Sequence, residues 1–287
     1  MPNLRMIRRR INAVQNIQQV TRAMRMIAAS RMRRAQESLT QMRPYAHRLD
    51  LLLRHLASQI PQTDHPLLDV RPLTRATIIA VTGDRGLARG FNANVIRRAE
   101  ERRAAFVRQG ATCEFITVGR KATDYFVRRD APVIAKHAGV FQHLDFSTAQ
   151  AIAREAADRF RAAETDLVEI IYNEFKSVIQ QNLVVVQFLP ITPIPPVDGG
   201  HFVDYLYEPS KQHIWSALLD KYLNIEIWRV LLESNAAEQA ARMTAMEEAT
   251  KNAEEMIRNL IALRNKVRQT SITTELNEIV GAAEALT

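Results

Sequence analysis

The residues best placed to do chemistry lie in the turn Gly83-Asp84-Arg85-Gly86-Leu87-Ala88-Arg89-Gly90, between an apolar run at 76–82 and an amphipathic helix. Where a strand feeds a helix in a doubly wound fold, glycine amides often cradle a phosphate. The spacing here matches neither G-x-G-x-x-G nor G-x-x-x-x-G-K-[ST]. The turn therefore reads first as a tight reversal needing positive φ, with Asp84 and Arg85 on its surface, and second as a nucleotide site. Glu174 beside Lys176, in the polar passage Tyr172, Asn173, Glu174, Lys176, Gln180 and Gln181, has the make-up of a proton-transfer pair. Such neighbours are more often a surface ion pair of small value, and that is the reading taken. The histidines (His47, His55, His65, His137, His143, His201 and His213) show no metal-ligand spacing, and no H-x-x-x-H, C-x-x-C or G-x-S-x-G occurs. No catalytic residue, metal site or cofactor is expected. Cys113, the single cysteine, excludes an internal disulfide and reads as a small buried hydrophobe in the strand CEFITV.

The second feature is charge. Arg5, Arg8, Arg9, Arg10, Arg22, Arg25, Arg31, Arg33 and Arg34 precede the first acid, Glu37. Like charges one helical turn apart repel, so this face implies negative charge nearby in the working state. Glu247, Glu248, Glu254 and Glu255 are internal candidates. A mitochondrial targeting helix and a basic-region DNA-binding helix are further readings. An apolar seam runs through the first without a cleavage-like break, and Pro44 and Pro61 interrupt the second.

These residues need elements to position them. From about His213 to Thr287 there is no proline and one glycine, Gly281, so a single long helix is predicted, on the order of 110 Å at 1.5 Å per residue. Met243, Met246, Thr250, Ala253, Ile257 and Leu260 form a seam of 3.5-residue period that calls for a helical partner. Residues 1–57 supply it, with the stripe Leu4, Ile7, Ile11, Val14, Ile17, Val20, Met24, Ile27, Met32, Ala35, Leu39 and Met42. One helix opens the chain and one closes it, so a compact insert brings them together antiparallel.

Between them, residues 58–75 read as a linker and 76–207 as an α/β lobe. Strands are predicted at 76–82, 113–118, 131–136, 167–173 and 183–190, and helices at 91–109, 120–129 and 147–163, the last capped by Ser147. A proline-rich segment spans 190–200, an edge strand is predicted at 201–207, and Ser210 caps the closing helix. The fold class is α/β: a long antiparallel coiled coil of residues 1–57 and 208–287 plus a Rossmann-like lobe with a mostly parallel sheet.

An apolar fraction of 47% suits a globular core, and no run of about eighteen apolar residues suggests a membrane span. The net charge of +8 fits nucleic acid, an anionic surface or an acidic protein partner.

Distributed along the chain are LRMIRRRINAVQNIQQVTRAMRMIAASRMRRAQ, VTGDRGLARGFN, YNEFKSVIQQ, YLYEPS, AAEQAARMTAMEEATKNAEEMI and RQTSITTELNEIVGAAEAL. In this order they resemble the gamma subunit of F-type ATP synthases, of bacterial type. There are departures: Ala88-Arg89 stand where the family commonly has Cys-Gly, residues 191–201 are short and proline-rich, and LLESNAAEQ is unusual. The plant redox insert is absent.

The resemblance implies a central stalk, with the paired helices inside a ring of alpha and beta subunits and the lobe against the epsilon subunit and the membrane rotor (c) ring. It implies coupling of proton or sodium flow to ATP synthesis, no bond chemistry in this chain, and a peripheral place on the cytoplasmic side of a bacterial inner membrane. Ring contacts carried over are Arg8, Arg9, Arg22, Met24, Arg25, Arg242, Arg268, Gln269, Thr273 and Glu275. Contacts to epsilon or the membrane ring are Tyr205, Tyr207 and Glu208. The uncharged tip, 279–287, reads as a helix end turning in an apolar collar, against a frayed end. No nucleic acid or small-molecule substrate is implied. The rival readings are a nucleotide-dependent enzyme on the lobe with a helical dimerisation arm, and a nucleic-acid-binding coiled coil.

Overall fold

A computed structural model describes residues 4–57, 65–192, 208 and 210–284, without the side chains of 281–284. The expected strand at 201–207, most of the proline-rich segment and the last three residues lie outside the described residues. The opening helix α1 spans Leu4–Ala57 and accommodates Pro44 at the cost of one intrahelical hydrogen bond. The closing helix α5 spans Lys211–Glu284. Ser210 caps it as expected, its hydroxyl accepting from the His213 amide at 3.2 Å.

The lobe alternates β1 (Arg75–Val81), α2 (Phe91–Arg108), β2 (Thr112–Val118), α3 (Arg120–Val127), β3 (Val133–His137), α4 (Phe146–Arg161), β4 (Leu167–Phe175) and β5 (Gln181–Leu189). Asp145 rather than Ser147 caps α4, because its carboxylate accepts from the Ser147 amide at 2.7 Å. The described strands form one sheet in the order β3-β2-β1-β4-β5. All pairs are parallel except β4–β5, joined by a hairpin.

Alternation along the strands divides the core. Ile79 and Val81, Ile116 and Val118, and Val168, Ile170 and Tyr172 face one side, with α4 and the sheet-side parts of α1 and α5. Ala76, Ile78, Ala80, Phe115 and Ile171 face the other, with α2 and α3. Two compact units result: residues up to Ala28 with those from Arg242, and Ala29–Ala241. The sequence boundaries at 57 and 208 follow the helix ends, whereas the compact units divide inside the helices. Leu49, Leu53 and Leu56 of α1 and Trp215, Leu219 and Leu223 of α5 belong to the sheet's core. Within the expected linker, Leu67 and Leu68 are buried, and the Leu67 carbonyl accepts from the Ile191 amide at 2.8 Å.

Candidate functional site

In the two-helix unit, Ile7, Ile11 and Val14 pack with Ala253 and Leu260, and Ile257, Ile261 and Val267 complete the seam. The α5 half is the expected one. The α1 half departs from the predicted stripe between Val14 and Ala28, while the predicted Ala35 is buried. Ile17, Val20 and Ile27 are more than half exposed, while Thr21 and Ala28 are buried in their place. The period is kept, but polar partners hold this level. The Thr21 and Thr250 hydroxyls lie 2.8 Å apart, and the Gln18 amide donates to Glu254 at 3.1 Å. Those pairs set the helices antiparallel. A stripe chosen by hydropathy drifts one position off a seam closed by hydrogen bonds.

Around this seam Arg8, Arg9 and Arg22 are exposed, and Arg25 and Met24 half-buried. None of these four arginines makes an ion pair among the described residues. The internal acids do not neutralise them. Glu247 pairs with Lys251 on its own helix at 3.2 Å, and Glu254 takes the Gln18 amide. The same register sets Leu4 near Val267, so from Arg268 onward α5 has no described α1 residue across from it. Arg268, Gln269, Thr273 and Glu275 are all exposed there. The Thr273 hydroxyl bonds back to the Gln269 carbonyl at 3.0 Å. Ile272, Leu276, Ile279 and Val280 present apolar surface, from 49% to 65% exposed. Arg242 is buried. Glu208 is exposed. Tyr205 and Tyr207 lie outside the described residues.

In the sheet unit, the glycine-rich turn proves to be a helix seat. Asp84, expected on the surface, is buried, and its carboxylate accepts from the amides of Arg120 at 2.9 Å, Gly139 at 2.8 Å and Phe141 at 3.0 Å. It ties three loops at the carboxyl ends of the strands, where a doubly wound fold usually seats its ligand. Positive φ falls on Leu87 (63°) and Arg89 (48°) and not on the turn's glycines. Gly83 serves close approach instead: a Cβ there would meet Oε1 of the buried Glu238 at 2.5 Å. Ala88 and Phe91 pack on Ala237 and Ala241 of α5. A carboxylate of α5 thus lies directly against the Gly83 backbone.

Glu174 and Lys176 form the expected pair at 2.9 Å. Tyr172 and Asn173, read as part of a polar passage, are buried. The Asn173 amide donates to the Phe91 carbonyl at 3.2 Å, and the Tyr172 hydroxyl donates to Glu233 at 3.0 Å. Cys113 is buried, and burial pushes its thiol up to about 12. Beside the turn a cleft of about 640 Å³ is lined by Arg31, Arg34, Arg85, His143, Phe141 and Trp228 among others. The sequence signalled its arginines but not their meeting.

Arginines without an ion pair among the described residues, an exposed apolar stretch of helix and a strand-end turn seated on α5 are the features of a subunit that works by contact rather than by bond chemistry. The family model described as ATP synthase matches residues 3–286. An ATP synthase gamma chain of Prosthecochloris aestuarii is 46% identical, with 100% of this chain and 99% of the relative covered. One of Anaeromyxobacter dehalogenans is 44% identical over the full length of both. The chain belongs to the ATP synthase gamma-chain family. Among solved structures, a chain of the Euglena gracilis mitochondrial ATP synthase superposes with a TM-score of 0.66 at 18% identity, covering 99% of this chain and 94% of that one. A chain from the central stalk and c-ring of the Tetrahymena thermophila enzyme gives 0.60 at 23%, covering 80% and 99%. At those identities the likeness is one of fold.

Proposed function

We propose that this chain is the rotating central-stalk subunit of an F-type ATP synthase, coupling proton or sodium flow through the membrane rotor to ATP synthesis on the beta subunits. The observation that carries the reading is the full-length likeness to gamma chains, 46% identical from end to end. The unneutralised arginines of α1 agree with it, since they ask for an acidic partner. Arg8, Arg9, Arg22, Met24 and Arg25 meet the alpha and beta subunits from α1, and Arg242, Arg268, Gln269, Thr273 and Glu275 meet them from α5. Tyr205, Tyr207 and Glu208 meet the epsilon subunit or the membrane ring.

The chain itself makes and breaks no bonds in this reading. Different angular settings offer each beta subunit a different face, and differential contact is what shifts a partner between states of different nucleotide affinity. Attachment to a bacterial inner membrane is peripheral, on the cytoplasmic side. No helix among the described residues is long and apolar enough to cross a membrane. The Glu238 carboxylate beside Gly83 speaks against a nucleotide-dependent enzyme.

A probe fixed to the lobe of the reconstituted complex tests the reading. Stepwise turning on addition of ATP is expected. A complex that hydrolyses ATP normally while the lobe stays still overturns it. Large alpha and beta subunits should copurify with a tagged chain.

A further inference from the structure

From Val230 to Arg242 every residue of α5 except Glu233 and Asn235 is buried. This stretch, buried all round, has no amphipathic face of its own to select its rotation, unlike the turns before it, where Trp215, Leu219 and Leu223 are buried and Asp220 and Lys221 exposed. Much of this stretch is alanine, with Ala236, Ala237, Ala240 and Ala241 all buried. Methyl-sized contacts are non-directional and discriminate weakly between neighbouring angles.

A polar cluster at the sheet adds directional contacts to this packing. The Tyr172 hydroxyl, rising from the centre of the sheet, donates to Glu233 Oε2 at 3.0 Å. Arg229 Nη1 donates to Glu233 Oε1 at 3.2 Å, and Arg229 Nη2 donates to Glu226 at 2.7 Å. Glu226, Arg229 and Glu233 lie on one face of α5 at helical spacing. Tyr172 is 1% exposed. Burial pushes its hydroxyl well above the usual tyrosine range, so it stays a donor. Burial works to lower Arg229, but Glu226 and the other partners outweigh it and keep the guanidinium charged. A phenol has few rotatable bonds and is clamped here by the core, so its hydroxyl marks one fixed point for the Glu233 carboxylate.

We propose that Tyr172, acting through Glu233 and Arg229, is a positioning residue that sets the angle of α5 about its own axis on the sheet, so that lobe and helix turn as one body. The structural half stands on these contacts alone. The torque-bearing half rests on the rotor reading above.

The test uses the full chain with spin labels on cysteines placed at the exposed positions Gln150 and Lys221. The width of the distance distribution between them reads the helix setting. In wild type it is narrow. Tyr172→Phe keeps the shape and removes the donor, and Glu233→Leu removes the acceptor. Both should raise the population of other settings by about tenfold, the value of a hydrogen bond to a charged group. Glu233→Gln keeps an acceptor for the phenol without the charge and should broaden less than Glu233→Leu, an order that mere loss of stability would not produce. An unchanged distribution in Tyr172→Phe, or Glu233→Gln broadening as much as Glu233→Leu, overturns the assignment. In the assembled complex without nucleotide, a probe on the lobe should wander over a wider angle in Tyr172→Phe. An angular spread equal to wild type refutes the torque-bearing half. The spin-label arms need no partner subunit, so their failure leaves the rotor reading intact. A lobe that never turns in wild type defeats the rotor reading and leaves the positioning role of Tyr172 in place.

Discussion

Oε1 of Glu238 sits 2.5 Å from where a side chain on Gly83 would begin. Glu238 is 3% exposed as a residue, so its side chain has little room to retreat. Gly83→Ala should lower stability by about 1–3 kcal/mol, the range for overpacking a filled site. A urea midpoint measured by circular dichroism checks this. Adding Glu238→Ala should recover part of the loss, since residues in contact are non-additive.

Asp84 is the junction of three loops through the Arg120, Gly139 and Phe141 amides. Asp84→Ala leaves those donors to find water or go without, at about 1–3 kcal/mol for a group left unsatisfied in the interior. Total loss should reach the upper part of that range or beyond. Amide exchange should rise at Gly139 and Phe141 before it rises in the strands.

Leu87 holds a φ of 63° with 65% of its surface exposed. A left-handed setting costs a non-glycine residue roughly 1–2 kcal/mol, and glycine returns somewhat less than that through its unfolded-state entropy. Leu87→Gly should therefore be neutral to stabilising by up to about 1 kcal/mol. A clear loss in thermal midpoint would show that the leucine makes a contact in the folded chain.

Asp166 is buried at the foot of the sheet. Burial pulls its carboxyl upward, but the Thr74 hydroxyl, the Thr74 and Arg75 amides and the Arg75 charge outweigh it and hold it below the ordinary 3.8. A depressed folded value means stability that is whole above the unfolded value and lost as pH falls below it. Wild type should weaken as pH drops from about 4 toward 2, and Asp166→Asn should be flatter over that window. Denaturant titrations at several pH values give the slope.

Arg8, Arg9 and Arg22 carry no ion pair among the described residues, so replacing all three with alanine should change the chain's stability within about 0.5 kcal/mol per site. Affinity for the alpha–beta ring should fall by about tenfold, as three exposed pairs of roughly 0.5 kcal/mol would give. The deficit should shrink at high salt.

The two long helices, their 3.5-residue seam on α5 and the alternation of the lobe were legible because helix breakers and apolar periods are local properties. The arginines stood out because nothing acidic precedes Glu37. The α1 seam was misread at Ile17, Val20 and Ile27, since Thr21 and Gln18 close it there by hydrogen bonds to residues more than two hundred positions away, while the predicted Ala35 is buried. Asp84 and Tyr172 look like surface polar residues until their partners are known.

The chain's own order of residues determined which segments are helix or strand, where charge accumulates and that a partner helix is required. These follow from spacing along a few turns. Only the tertiary structure decided that a glycine-rich turn receives a glutamate from α5. It alone decided which polar groups are buried and where the seam turns polar. Each of those depends on what lies opposite, and for a side chain whose neighbour is remote in sequence, desolvation and hydrogen bonding are set by packing and not by its own type.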